Sequence, residues 1–158
     1  MSFVYKPPTE WIAPDVFPTE LLCQAKEIAI DLETRDPNLK ELGPGYIRGD
    51  GEAVGISFAI DGYENYFPFA HESGFNFSKK KVLEFTKKIC ATDSDKIFHN
   101  STYDVGWLTH HGIPVNGRII DTMIVAPLID ENQFWFSLNA LGREYINEGK
   151  SEGELSAA

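Results

Sequence analysis

Asp31 and Glu33 stand two residues apart at the polar end of the run Glu27-Ile28-Ala29-Ile30. Strand side chains alternate between faces, so residues two apart point the same way. A strand here lifts both carboxylates to one spot, where they repel unless a cation neutralises them. Further along comes His99-Asn100-Ser101-Thr102-Tyr103-Asp104, in which Asn100 and Asp104 are four apart and share a helix face. Phosphodiester hydrolysis needs an activated water, an in-line approach and charge stabilisation at the leaving oxygen. Two metal ions about 4 Å apart supply all three, and hard cations take oxygen ligands. Asp31 and Glu33 offer two carboxylates from one strand and Asp104 a third from a helix. Alone, an Asp-x-Glu reads as a solvent-facing strand end and Asn100 as a helix N-cap. Both motifs together, in this order and setting, argue for a divalent-metal phosphodiesterase site.

Several elements must position these groups. Residues 1–22 carry Pro7, Pro8, Pro14 and Pro18 and read as an extended lead-in, packed on the domain through Trp11 and Phe17. The first strand covers 27–33. Residues 36–52, rich in Gly and Pro, read as a long loop. An Arg-Gly-Asp triplet at 48–50 lies in it, without the secretion signal that a cell-adhesion role needs. In 53–60, Val54, Ile56, Phe58 and Ile60 share one face and Ala53, Gly55, Ser57 and Ala59 the other, where something packs closely. Asp61-Gly62 signals a hairpin into a third strand, Tyr63 to Phe69. Ser78 is placed to cap a helix from Lys79 to Cys90. Its lysines read as a solvated face and Cys90 as a buried thiol. A short strand at 96–99 leads into a helix from about Ser101 to His111, stopped by Gly112 and Pro114. Ile119-Ile120 form a fifth strand. Asp121 caps a helix through Ile129 that Pro127 should kink or end early. Ser137 caps a last helix with Leu138, Leu141 and Tyr145 on one face. Ser151-Glu152-Gly153-Glu154 spells a capping box for one further turn.

The 158 residues fit one domain with a real core. No apolar stretch approaches the ~20 residues of a membrane span, and no signal pattern opens the chain. A cytoplasmic protein is expected, in the host cell if it is viral, with no membrane partner. Cys23 and Cys90 make no disulfide framework. His71, His110 and His111 lack zinc-ligand spacing, and no Walker-type loop occurs. A net charge of −10 argues against a protein that grips long duplex DNA. It leaves room for a nuclease that holds a few nucleotides through bound metals.

Asp31-Leu32-Glu33-Thr34 resembles the first exonuclease motif of the DEDD superfamily, and His99 to Asp104 resembles the second, Asn-x-x-x-Asp. Asp121-Thr122-Met123, Leu128-Ile129-Asp130 and Ser137-Leu138-Asn139-Ala140-Leu141 are similar to the following stretch in DNA polymerase I-type (family A) enzymes, with features of bacteriophage versions. The resemblance implies an α/β, ribonuclease H-like fold, a mixed five-stranded sheet flanked by helices, over residues 23–147. Residues 148–158 would be a tail or the start of a truncated helix. It implies Mg²⁺- or Mn²⁺-dependent 3′-5′ proofreading on single-stranded DNA ends. Asp31 would bridge both metals, Glu33 would hold the nucleophile-side metal, and Asp104 would hold the second through water. Leu32 and Thr34 would border the terminal base and sugar, and Asn100 would position Asp104 or the scissile end.

One departure stands out. The family's third motif, Tyr-x-x-x-Asp or His-x-x-x-x-Asp, supplies a water-orienting group and a fourth carboxylate. Tyr46 to Asp50 spells it but lies far too early, and Tyr145 has Gly149 where the acid belongs. The expectation is a C-terminally truncated domain, weak or inactive alone, whose partner is a polymerase polypeptide that supplies the missing motif. The alternatives are a non-catalytic nucleic-acid- or polymerase-binding remnant and an RNA-directed DEDD exonuclease.

Overall fold

The computed structural model describes residues 11–148. These fall into two compact units. One spans Ala13–Thr122; the other takes Trp11, Ile12 and the residues from Met123 onward.

The first unit is built on β1 (Glu27–Arg35), β2 (Glu52–Ile60), β3 (Tyr63–Pro68), β4 (Asp95–Phe98) and β5 (Ile119–Asp121). Their order across the sheet is β3-β2-β1-β4-β5. β1 and β2 pair antiparallel, as do β2 and β3, while β4 runs parallel to both β1 and β5. This is the mixed five-stranded sheet that the resemblance implied. β1 is central because Ile28, Ile30 and Leu32 alternate into the core. β4 pairs with its first residues, Glu27 to Ala29, while its polar end from Asp31 onward pairs with β2.

Helix α4 (Lys79–Cys90) has the expected bounds, with Val82, Phe85, Ile89 and Cys90 buried. Phe85 packs against Phe17, Phe58 and Phe67. Burial of each such ring contributes roughly 1.5–3 kcal/mol. Ser78 takes the N-cap position without a side-chain cap bond.

The lead-in is not wholly extended. Thr19–Gln24 form a short helix, α1, whose Leu22 is fully buried. Six residues do not hold a helix alone; its packing against α4 does. Likewise, the 36–52 segment contains two single turns, α2 (Leu39–Leu42) and α3 (Gly45–Arg48). The side chain of Asp36, 2 % exposed, organises this segment. It accepts hydrogen bonds from Gly45 N (2.6 Å), Arg48 Nη2 (3.0 Å) and Tyr103 Oη (3.1 Å). Arg48 also pairs with Asp50, so the Arg-Gly-Asp triplet is consumed internally. A Cβ on Gly45 would lie 2.8 Å from Gly51 Cα, so glycine is needed where the segment crosses itself.

Helix α5 (Ser101–His110) ends as expected, with Gly112 at φ +71°. Helix α6 (Thr122–Ile129) runs through Pro127 instead of ending early. Proline costs this helix one amide donor, and Asp130 N still closes onto Ala126 O at 3.1 Å. In the second unit, Ser137 Oγ caps α7 (Leu138–Ile146) by accepting from Ala140 N. Of the expected apolar face only Leu141 is buried, while Leu138 and Tyr145 are exposed. The capping box at 151–154 lies outside the described residues.

Candidate active site

Asp31 pairs across the sheet with Ser57, and Glu33 with Gly55. Immediately after Glu33 the register slips, because Thr34 pairs with Ala53 and Val54 is passed over. Such a bulge bends a strand and re-aims its side chains. It also overturns the strict alternation expected for 53–60, since Ala53 turns into the core and is fully buried. Val54 O is used instead by Phe69 N and Ala70 N. The bulge therefore falls on the carboxylate pair, leaving Asp31 exposed and Glu33 half-buried.

Asp104, on the first turn of α5, is only 3 % exposed. Its Oδ1 accepts a hydrogen bond from Leu32 N at 3.0 Å. That amide lies between the two acids of β1, so α5 is joined to the strand there. Burial pushes the Asp104 carboxyl up to about 7, opposed by the Leu32 bond and aided by the charges of Asp31 and Asp121. A buried carboxyl poised near neutrality beside another acid marks a candidate functional site.

The seating of α5 depends on Asp121. Its Oδ1 accepts from Asn100 N (3.0 Å) and its Oδ2 from Ser101 N (2.7 Å). Asp121 ends β5, next to the helix it was expected to cap, and its carboxylate caps α5. Asn100 holds the N-cap position at φ +70° with no side-chain cap bond. The sequence misses this because the parallel pairing of β4 and β5 decides which helix end Asp121 meets.

Tyr103 ties the site to the preceding loop. Its hydroxyl donates to Asp36 Oδ2 and is 2.8 Å from Thr34 Oγ1. Thr34 is thus engaged with α5. The Leu32 side chain lies in the core cluster, 8 % exposed, and its amide is the group that meets Asp104.

A further group was not singled out from sequence. Tyr66 on β3 pairs with Ser57, the partner of Asp31. Its ring lies over Gly55, where an added Cβ would be 1.8 Å from the hydroxyl. Its hydroxyl is hydrogen-bonded to His71 Nε2 at 2.5 Å. Burial and the charges of Glu33 and Asp31 push the Tyr66 hydroxyl well above the usual phenol range. The small residues on one face of β2 were the available signal.

The family profile described as a 3′-5′ exonuclease matches residues 17–157. The chain belongs to that 3′-5′ exonuclease family. The exonuclease chain is 37 % identical over 155 residues to a DNA-directed DNA polymerase of Pseudomonas phage M6. That match takes in 95 % of the chain and 23 % of the polymerase, so the chain spans about a quarter of this relative. Among solved structures, Escherichia coli RNase D superposes with TM-score 0.63 at 16 % identity, over 87 % of the exonuclease chain and 32 % of its own. Brucella melitensis NrnC with bound Mg²⁺ superposes with TM-score 0.59 at 20 % identity, over 85 % and 60 %. The sheet is thus of the ribonuclease H-like exonuclease kind.

Among the described residues, no three His, Cys, Asp or Glu side chains gather into a group that could hold a metal ion. The donor types at the candidate site are nevertheless those a hard cation takes. Mg²⁺ keeps several waters and takes one or two carboxylates together with substrate phosphates. Asp31 and Glu33 lie on one strand face, with Asp104 against the amide between them, and all three are oxygen donors of the type that Mg²⁺ takes. No helix among the described residues is long and apolar enough to cross a membrane.

Proposed function

We propose that this chain is the acid-bearing part of a proofreading nuclease, which removes nucleotides from the 3′ end of single-stranded DNA beside a polymerase. The observation that carries the reading is the Asp104–Leu32 hydrogen bond, which links the second motif to the backbone between Asp31 and Glu33. The choice of DNA rests on the phage DNA polymerase relative. Mg²⁺ or Mn²⁺ is the expected cation, and the Mg²⁺ bound to NrnC supports it. Asp31 and Glu33 would hold the cation, and Asp104 would complete its shell through water. When bound, the cation supplies charge neutralisation and an acidified water. The protein's own part is orientation. β2 and β4 clamp β1, Asp121 sets the height of α5, and Tyr103 fixes the loop that follows Thr34. Asn100, at the exposed start of α5, is placed to meet the strand end. The setting is the cytoplasm, that of the host if the protein is viral.

With three motif carboxylates written in this chain and not four, slow cutting is expected from the polypeptide alone. The test uses 5′-labelled single-stranded DNA and RNA oligonucleotides with Mg²⁺ or Mn²⁺. Slow shortening of DNA from its 3′ end, lost in Asp31→Ala, is the expected result. Cleavage that survives Asp31→Ala refutes the site. Faster shortening of RNA than of DNA refutes the substrate.

A further inference from the structure

Tyr66 and His71 lie outside every motif that the exonuclease reading uses, yet they are arranged around its carboxylates. Gly55 stands in mid-strand, where glycine weakens a sheet and marks a close approach. The approaching group is the Tyr66 phenol, whose hydroxyl occupies the space that a Cβ at Gly55 would take. Gly55 is the cross-strand partner of Glu33. Directly opposed residues of an antiparallel pair have Cβ atoms about 5 Å apart. The hydroxyl is therefore within reach of a Glu33 side chain, on the face that also carries Asp31.

The hydroxyl is held from behind. His71 Nε2 is 2.5 Å away. His71 is itself clamped, because its N–H donates to Asn76 Oδ1 (2.9 Å) and its carbonyl accepts from Asn76 Nδ2 (3.0 Å). Phe77 N donates to Pro68 O at 2.8 Å and closes the base of this loop. His71 is exposed, so the clamp buries no core surface. What it determines is the direction of one phenol.

Resting on the nuclease reading, we propose that Tyr66 is a positioning residue for Glu33. His71 Nε2–H donates to Tyr66 Oη, which leaves the phenol proton to hydrogen-bond the Glu33 carboxylate. Glu33 is then held in one orientation, with its other oxygen turned toward the cation. Groups that orient a ligating side chain typically cost 10–100-fold in metal affinity when removed.

The test is calorimetric titration of the full 158-residue chain with Mn²⁺, alongside thermal unfolding by circular dichroism. Tyr66→Phe keeps the ring over Gly55 and removes the hydroxyl; it should weaken Mn²⁺ binding about 10-fold at an unchanged melting temperature. His71→Ala should do the same. His71→Gln, which retains an N–H donor, should restore most of the affinity. Asp31→Ala is the control and should lose the binding. Wild-type affinity in Tyr66→Phe, with binding lost in Asp31→Ala, overturns the role of Tyr66 and leaves the nuclease site standing. A His71→Gln variant as weak as His71→Ala overturns the donor role of His71. A wild-type chain that takes up no Mn²⁺ overturns the cation site and this inference together.

Discussion

Replacing Asp121 with alanine removes the one side chain that satisfies both leading amides of α5. The lost bonds are those from Asn100 N (3.0 Å) and Ser101 N (2.7 Å). Hydrogen bonds to a charged acceptor contribute about 1.5–3 kcal/mol each. Asn100 is exposed and Ser101 half-buried, so water recovers part of this. The expected net loss is about 2–4 kcal/mol, above the usual ~1 kcal/mol for a single N-cap. Asp121→Asn keeps one acceptor oxygen and should cost about half as much. Urea unfolding followed by far-ultraviolet circular dichroism measures both, and amide exchange at residues 100 and 101 localises the effect. The site should respond as well, because Asp104 rides on α5 and feels the Asp121 charge. Mn²⁺ binding should weaken in Asp121→Ala. A loss below about 0.5 kcal/mol, with unchanged exchange at the two amides, would refute the claim that Asp121 seats the helix.

Other perturbations follow from the same geometry. Asp104 has its carboxyl raised from 3.8 to about 7, so the folded state holds a proton that the unfolded chain releases. In metal-free buffer its contribution is fully present below pH ~4 and is lost as pH rises through ~7, by up to roughly 4 kcal/mol. Asp104→Asn should flatten that dependence, and a wild-type-like slope in urea titrations at pH 4.5 and 7.5 would contradict it. Lys96 is fully buried, and its Nζ donates to Thr92 O, Ser94 O and Asn116 O. Lys96→Met should cost about 1–3 kcal/mol by leaving those carbonyls without their donor, read as a lower melting temperature. Tyr103→Phe removes the hydroxyl between Thr34 and Asp36, and limited proteolysis should then cut faster within residues 36–51 than in wild type.

Much of this protein is legible along the chain because its strongest signals are local. Alternation of Ile28, Ile30 and Leu32 defines β1, and with it the shared face of Asp31 and Glu33. Helical spacing of Val82, Phe85 and Ile89 defines α4 with the bounds observed. Asp61-Gly62 marks the hairpin, and Gly112 the end of α5. The order of the two motifs suggested the family, which the profile match and the polymerase relative establish.

Tertiary structure decided what depends on residues far apart in sequence. Thr19–Gln24 is helical because Leu22 finds a buried seat against the sheet unit, which six residues cannot announce. The bulge at Val54 arises from pairing and moves Ala53 to the opposite face. Asp121 meets the start of α5 because β5 lies parallel beside β4. Asp104 reaches Leu32 across 72 positions, and the Tyr66 phenol settles over Gly55. Periodicity along a chain sets which face a side chain takes. Only the packing of one element on another sets which distant group it meets there.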